Sequence, residues 1–115
     1  MPHDSNCLFC KIAAGQIPAK KVYEDDEMLA FHDIHPWAPV HILIVPKQHL
    51  NSMEDVADAH AGVLGRMMAV SPRLMRELGV TNGYLHVINT GPDGRQEVMH
   101  LHLHVMGGPR PWLKG

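Results

Sequence analysis

Several sequence features that mark particular classes of protein are missing from this 115-residue chain. Its net charge is only −2 with neutral histidines, and no basic patch suggests binding to nucleic acid. The longest apolar run, residues 40–46, is far too short to cross a bilayer. The polar residues 1–6 lack the basic and apolar regions of a signal peptide. We therefore predict a cytoplasmic protein that binds neither a membrane nor nucleic acid.

Cysteine is also scarce, because the chain contains only Cys7 and Cys10. A structural disulfide between them is not expected in a reducing compartment. Three interpretations of this Cys-x-x-Cys spacing remain. The cysteines are a redox pair, half of a zinc site, or two buried thiols that pack as small hydrophobic groups.

The length of the chain fits one domain, residues 1–115, with a flexible N-terminus at residues 1–5 and a C-terminal tail at residues 109–115. The core of so short a chain is modest. Dimerisation would therefore be a natural source of further burial.

Hydrophobic periodicity predicts a short N-terminal helix, one long helix and several strands. The predicted helices are residues 7–14 and 54–78, and the predicted strands are residues 21–23, 28–32, 40–45, 83–89 and 98–106. Ser5 or Asn6 is the expected N-cap of the first helix. Pro72 is expected to kink or split the second, because proline has no amide hydrogen. This order of elements predicts an α+β fold with a mostly antiparallel five-stranded sheet.

Histidine, in contrast, is abundant, with ten residues in the chain. His100, His102 and His104 alternate in the last predicted strand, so their side chains should share one face, about 6.5–7 Å apart. Residues 99, 101, 103 and 105 are apolar and should face the core. Three imidazoles in such a row cannot all reach one metal ion, which needs bonds of about 2.0–2.1 Å. Two of them can share an ion, and the third is left for another role.

The pattern His-x-His-x-His followed by Gly107 and Gly108 resembles the histidine-triad (HIT) family, and the Gly-Gly pair resembles its Hint branch of nucleoside phosphoramidases. Residues 33–47 (DIHPWAPVHILIVPK), 89–91 (NTG) and 96–98 (QEV) are similar to further motifs of that family. The resemblance extends over nearly the whole chain. It implies the HIT-like fold and a homodimer.

The resemblance also implies a mechanism in which His102 is the nucleophile. It would attack the α-phosphate of a purine nucleoside phosphoramidate or acyl-nucleotide and form a nucleotidyl-histidine that water then hydrolyses. A neutral imidazole with a pKa near ~6.5 is an available nucleophile at neutral pH. The other catalytic residues implied by the resemblance are His104, His41 and Asn89, which would surround the phosphate.

The nucleotide-binding residues implied by the resemblance form an apolar slot and a polar clamp. Asp33 would accept the ribose hydroxyls, and the backbone amide of Glu97 would bind the phosphate. The implied set is Leu8, Phe9, Ile12, Phe31, Asp33, Ile34, Asn89, Glu97, His102 and His104.

Some members of the wider family bind zinc through a Cys-x-x-Cys pair, a histidine after the Pro-Lys strand and the first triad histidine. The matching residues here are Cys7, Cys10, His49 and His100. Two cysteines and two histidines form a closed tetrahedral set that is typical of structural zinc. On this resemblance we predict a structural Zn²⁺ ion and favour it over two buried thiols.

The chain departs from the family pattern at His35, Trp37, Pro72, Arg95 and Met99. Arg95 stands where a glycine is usual, and Met99 replaces an aromatic residue. None of these changes removes a catalytic group, but they leave the preferred leaving group open.

Two alternative functions also remain. One is a dinucleoside polyphosphate hydrolase of the sister branch, although that branch usually has a glutamine soon after the triad, where this chain has Met106 and Gly107. The other is a non-catalytic module that binds zinc or a nucleotide.

Overall fold

The chain forms a five-stranded antiparallel sheet with a long helix against one face and a short helix against the other. A computed structural model describes residues 5–115. Most of the predicted flexible N-terminus, residues 1–4, lies outside the described residues. The elements in chain order are α1 (Leu8–Ala13), β1 (Lys21–Glu24), β2 (Met28–His32), β3 (Val40–Pro46), short 3₁₀ turns at Met53–Asp55 and Asp58–His60, α2 (Ala61–Glu77), β4 (Tyr84–Val87) and β5 (Leu103–Gly107).

The sheet has the strand order β1-β2-β3-β5-β4, and every neighbouring pair is antiparallel. Side chains alternate between the two faces of β2 and β3, and both faces are buried. Met28 and Ile42 pack in the core cluster under α2, whereas Phe31 and Leu43 pack in the cluster under α1. This architecture confirms the predicted α+β fold. Within residues 5–115, no helix has the length and apolar character needed to cross a membrane.

The long helix differs from the prediction at its start. It begins at Ala61 rather than Glu54, because residues 53–55 and 58–60 form two separate 3₁₀ turns. Ser52 opens the first turn by accepting a hydrogen bond from the amide of Glu54. These local bonds keep residues 53–60 out of the regular helix.

Pro72 neither splits nor ends α2, which continues to Glu77. Proline cannot donate to the carbonyl of Met68, the normal partner of residue 72 in a helix. The hydroxyl of Ser71 donates to that carbonyl instead, at 2.8 Å. His86 on β4 fixes the hydroxyl from the other side, with Nε2 at 2.8 Å from Ser71 Oγ. A side chain thus replaces the bond that proline removes.

The last strand is shorter than predicted, because β5 begins at Leu103 and not at residue 98. The chain before it bends at residues 98–100 and lies outside the sheet, and the amide of Leu101 donates to the carbonyl of Leu50. Leu101 and Leu103 are buried as predicted, but Met99 is 51% exposed and does not belong to the core. The predicted strand at residues 83–89 is likewise reduced to Tyr84–Val87.

Two further details concern the ends of the chain. Cys7, and neither Ser5 nor Asn6, is the N-cap of α1, and its Sγ accepts a hydrogen bond from the amide of Cys10. The tail at residues 109–115 is neither helix nor strand. It is fastened where the amide of Leu113 donates to the carbonyl of Trp37 at 2.7 Å.

Candidate active site

Three histidines from the neighbouring strands β3 and β5, and from the chain just before β5, form one buried cluster. His41 is the second residue of β3, and His104 lies on β5 opposite Leu43. His41 Nε2 lies 2.9 Å from His104 Nδ1, and the ring centroids of His102 and His104 are 4.9 Å apart. All three side chains are at most 7% exposed. The antiparallel pairing of β3 with β5 thus brings His41, which is distant in sequence, into contact with His104 of the alternating histidines.

The imidazole of His102 is held by a backbone carbonyl. Its Nδ1 lies 2.7 Å from the carbonyl oxygen of His100, which can only accept, so Nδ1 holds the proton. Nε2 therefore presents a lone pair. Burial lowers the pKa of His102, and the bond to His100 only partly opposes this effect. The ring is consequently neutral at pH 7, as a nucleophile requires.

The loop between β4 and the triad is shaped by hydrogen bonds among its own residues. Asn89 uses one amide hydrogen to bind the carbonyl of Gly94 at 2.7 Å. Gln96 closes the loop, because its Oε1 accepts from the amide of Gly91 at 3.0 Å. Residue 94 must be glycine, since a Cβ there would collide with the backbone of Thr90. The exposed Glu97 follows this loop directly.

The residues predicted to bind the nucleoside are only partly brought together. Phe9 makes edge-to-face contacts with Phe31 at 5.5 Å and with His102 at 5.2 Å between ring centroids. Ile12 is buried in the core cluster under α1. Ile34 is 85% exposed, and Leu8 is also exposed.

Asp33 follows β2 and reaches the histidine cluster. Its Oδ2 lies 3.5 Å from His41 Nε2, and its Oδ1 accepts a hydrogen bond from the amide of His35 at 2.8 Å. Asp33, His41 and His104 are close enough together to suggest a metal site. However, the two histidine nitrogens lie 2.9 Å apart, which is the distance of a hydrogen bond between them. We therefore interpret this group as a hydrogen-bonded cluster and not as a set of free ligands.

The four residues predicted to hold zinc do converge. The Sγ atoms of Cys7 and Cys10 and the Nδ1 atoms of His49 and His100 all lie within 4.8 Å of one another. The individual S···N and N···N separations that define the group are 3.2–3.6 Å. Tetrahedral zinc with bonds of about 2.0–2.3 Å requires ligand separations of about 3.3–3.8 Å. The residues present therefore fit the ion.

The protonation of the two histidines in this group supports the same conclusion. His100 Nε2 donates to the carbonyl of Pro46 at 2.7 Å, and His49 Nε2 donates to Asn51 Oδ1 at 2.7 Å. Each ring therefore turns a bare Nδ1 towards the other, at 3.2 Å. Burial lowers the pKa of His100 to about 4, so this ring is neutral at pH 7 and its Nδ1 holds no proton. Lone pairs that face one another in this way are stabilised by a cation between them. The carbonyl of Pro46 and Asn51 Oδ1 orient the two rings, as the partners of ligating histidines do in zinc sites.

Sequence reasoning missed the part played by Trp37. Its indole lies nearly parallel to the His104 ring, at 13° and 5.8 Å between centroids, and its amide donates to His41 Nδ1 at 3.0 Å. Lys114 Nζ lies 5.0 Å from the centre of the same indole. The signal was visible, since Trp37 departs from the family pattern, but a backbone hydrogen bond has no signature in the sequence.

Comparison with known proteins defines the family. The sequence profile of the HIT domain matches residues 14–110. Protein HitA of Neisseria gonorrhoeae is 52% identical over 104 residues, which cover 90% of this chain and 97% of that protein. Adenylylsulfatase HINT1 of Arabidopsis thaliana is 41% identical over 109 residues, which cover 93% of this chain and 74% of that protein. The chain therefore belongs to the HIT-domain family.

Solved structures share its fold. A histidine triad protein from Clostridium difficile has a TM-score of 0.90 at 44% identity, covering 95% of this chain and 96% of that chain. A HIT family hydrolase from Legionella pneumophila has a TM-score of 0.88 at 46% identity, with coverages of 91% and 95%. A Zn-bound histidine triad family protein from Mycobacterium smegmatis has a TM-score of 0.78 at 34% identity, with coverages of 89% and 74%. The predicted HIT-like fold is confirmed.

Proposed function

We propose that this protein is a HIT-family hydrolase that cleaves purine nucleoside phosphoramidates or acyl-nucleotides at the α-phosphate, with His102 as nucleophile. The observation that carries the proposal is the 2.7 Å hydrogen bond between His102 Nδ1 and the carbonyl of His100. It leaves Nε2 of a buried, neutral imidazole ready to attack. The hydrolase named among the solved relatives and the adenylylsulfatase named among the sequence relatives support this class of reaction.

In the proposed first step, His102 Nε2 attacks the α-phosphorus, and the bond from phosphorus to the leaving nitrogen or acyl oxygen breaks. The leaving group takes the bonding electrons; a carboxylate leaves as the anion, and an amine takes a proton from solvent, to which the attacking water of the second step returns one. In the second step water attacks the nucleotidyl-histidine, releases the nucleoside monophosphate and restores the neutral imidazole. Charge on the phosphoryl oxygens is met by neutral donors, for which His104, Asn89 and the amide of Glu97 are the candidates.

The nucleoside is proposed to bind between Asp33 and the aromatic pair Phe9 and Phe31. The carboxylate of Asp33 can accept two hydroxyl hydrogens, as ribose recognition requires. Its Oδ2 lies 3.5 Å from His41 Nε2, so a ribose bound to Asp33 would lie beside the histidine cluster. The exposed Leu8 and Ile34, with the buried Ile12, complete the proposed apolar slot.

We further propose that Cys7, Cys10, His49 and His100 hold a structural Zn²⁺ ion. The ion would cross-link α1 to the chain just before β5 and so restrain the segment that contains His102. The Zn-bound relative supports this assignment. A homodimer and a cytoplasmic location remain predictions.

One assay separates the candidate functions. Purified protein and His102→Ala are each incubated with an adenosine phosphoramidate and with a diadenosine polyphosphate, and release of AMP is followed. The proposal expects turnover of the phosphoramidate, and a loss of at least about 10³-fold in kcat for His102→Ala. A preference for the dinucleotide would favour the sister-branch hydrolase.

Two other outcomes would overturn the proposal. Undiminished activity of His102→Ala would exclude His102 as the nucleophile. Tight binding of AMP without turnover of either substrate would favour a binding module. Trapping the adenylylated protein by mass spectrometry, and its disappearance in the variant, provides a check that does not depend on rate.

A further inference from the structure

A chain of hydrogen bonds runs from the backbone of Trp37 into the triad. The amide of Trp37 lies 3.0 Å from His41 Nδ1. A backbone amide can only donate, so His41 Nδ1 must present a lone pair. Burial lowers the pKa of His41, with Asp33 opposing and His102 assisting this effect, so the ring is neutral. The single ring proton of His41 is therefore on Nε2.

The same reasoning extends to the next ring. His41 Nε2 lies 2.9 Å from His104 Nδ1, and one proton lies between these nitrogens. Since His41 supplies it, His104 Nδ1 is the acceptor and the ring proton of His104 is on Nε2. Asp33 Oδ2 is a more distant acceptor for the His41 proton, at 3.5 Å. The shorter contact determines the direction of the bond.

We propose, resting on the hydrolase function above, that His41 is a positioning residue that relays the orientation of the Trp37 amide to His104 and fixes His104 as a donor at Nε2. Adjacent triad histidines then hold opposite tautomers. His102 has its proton on Nδ1 and a bare Nε2, and His104 has the reverse arrangement. One ring can attack phosphorus while its neighbour donates to an oxygen on the same phosphoryl group.

Trp37, where the relay begins, is held by contacts of its own. The carbonyl of Trp37 accepts a hydrogen bond from the amide of Leu113 at 2.7 Å, so the C-terminal tail holds this residue in place. The indole of Trp37 stacks on the His104 ring. Trp37 thus contacts both ends of the relay, one through its backbone and one through its side chain.

Substitutions of His41 by glutamine and by asparagine test the relay, because their side-chain amides place the N–H donor at different positions. The side-chain nitrogen of glutamine can occupy the place of imidazole Nε2, whereas that of asparagine corresponds to Nδ1. His41→Gln should preserve the donor to His104, and His41→Asn should remove it. His35→Asn is the matched control, since His35 is an exposed histidine in the same loop.

The readout is the ¹⁵N NMR spectrum of the imidazoles in ligand-free protein, with kcat and KM for an adenosine phosphoramidate as a second measurement. We expect opposite tautomers for His102 and His104 in the wild type, in His41→Gln and in His35→Asn. His41→Asn should lose the fixed His104 tautomer and about 10²-fold in kcat, with KM little changed.

A His104 proton on Nδ1 in the wild type would overturn the proposal, and so would an unchanged His104 spectrum in His41→Asn. The NMR pattern does not require turnover. If the hydrolase function is wrong, the phosphoramidate is not cleaved, yet the spectra still decide whether the relay exists. Failure of the relay and failure of the function are therefore distinguishable.

Discussion

The hydroxyl of Ser71 offers a quantitative test of how α2 accommodates a proline. We predict that Ser71→Ala lowers the free energy of unfolding by about 2–3 kcal/mol. The substitution removes the donor to Met68 O and the partner of His86 Nε2, each at 2.8 Å. Two hydrogen bonds at about 1 kcal/mol each account for most of this loss, and the remainder comes from polar groups left unpaired in the fold.

The control is to measure Ser71→Ala in a Pro72→Ala variant, because Pro72→Ala restores an amide hydrogen at residue 72. The backbone can then bind Met68 O without help, so Ser71→Ala should cost only about 1 kcal/mol there, from the lost contact with His86. A double-mutant cycle followed by urea unfolding should give a coupling of about 1–2 kcal/mol between the two positions. An equal cost of Ser71→Ala in both backgrounds would refute this account of the helix.

Three further predictions concern the metal group, the buried histidines and the loop beside the triad. Cys10→Ser should reduce bound zinc below one equivalent in protein purified without chelator and lower the melting temperature; an equally stable wild type without metal would contradict this. Burial, with smaller effects from His102 and His41, lowers the pKa of His104 to about 4, so its contribution to stability is complete above pH 6.5 and lost as the pH falls towards 4. Urea unfolding should show a loss of up to about 3 kcal/mol from this group across that range, and His104→Asn should flatten the slope. Arg95 has a φ of 60°, in the left-handed region, so Arg95→Gly should raise the free energy of unfolding by about 0.5–1 kcal/mol, whereas Arg95→Ala should not.

The sheet was predictable from sequence where a strand is bounded by polar residues on both sides. β2 matches its prediction because the apolar run from Met28 ends at His32 and begins after an acidic turn. The turn itself is closed by Asp25, whose Oδ1 accepts from the amides of Glu27 and Met28. Here the local hydrogen bonds of the turn and the apolar pattern of the strand both place the start of β2 at Met28, so the sequence alone defines this strand.

The strand predictions were wrong where the apolar alternation continues along the chain but its pairing with the neighbouring strand ends. Alternation extends back to residue 98, yet the pairing of β3 with β5 stops at Ile44 and Leu103. Beyond that point the side chain of His100, and not a backbone amide, binds the carbonyl of Pro46. A period of two predicts an extended chain, but residues 98–100 bend, and membership of a sheet depends on a neighbouring strand that the sequence does not identify.

The same distinction explains why the row of histidines required a structure. The spacing of His100, His102 and His104 makes them equivalent, and the different roles proposed for them rested on family resemblance alone. The structure adds a physical basis, because each ring has a different partner. Pro46 accepts from Nε2 of His100, the carbonyl of His100 accepts from Nδ1 of His102, and His41 donates to Nδ1 of His104.

Each partner determines which nitrogen is bare. His100 is left with a lone pair on Nδ1 facing the cysteines, and His102 with a lone pair on Nε2 beside His104. His104 keeps a hydrogen on Nε2 and can only donate there. A metal ligand, a nucleophile and a donor can therefore arise from one residue type at one spacing. Two of the three partners are backbone carbonyls, whose positions follow from the fold and not from residue identity.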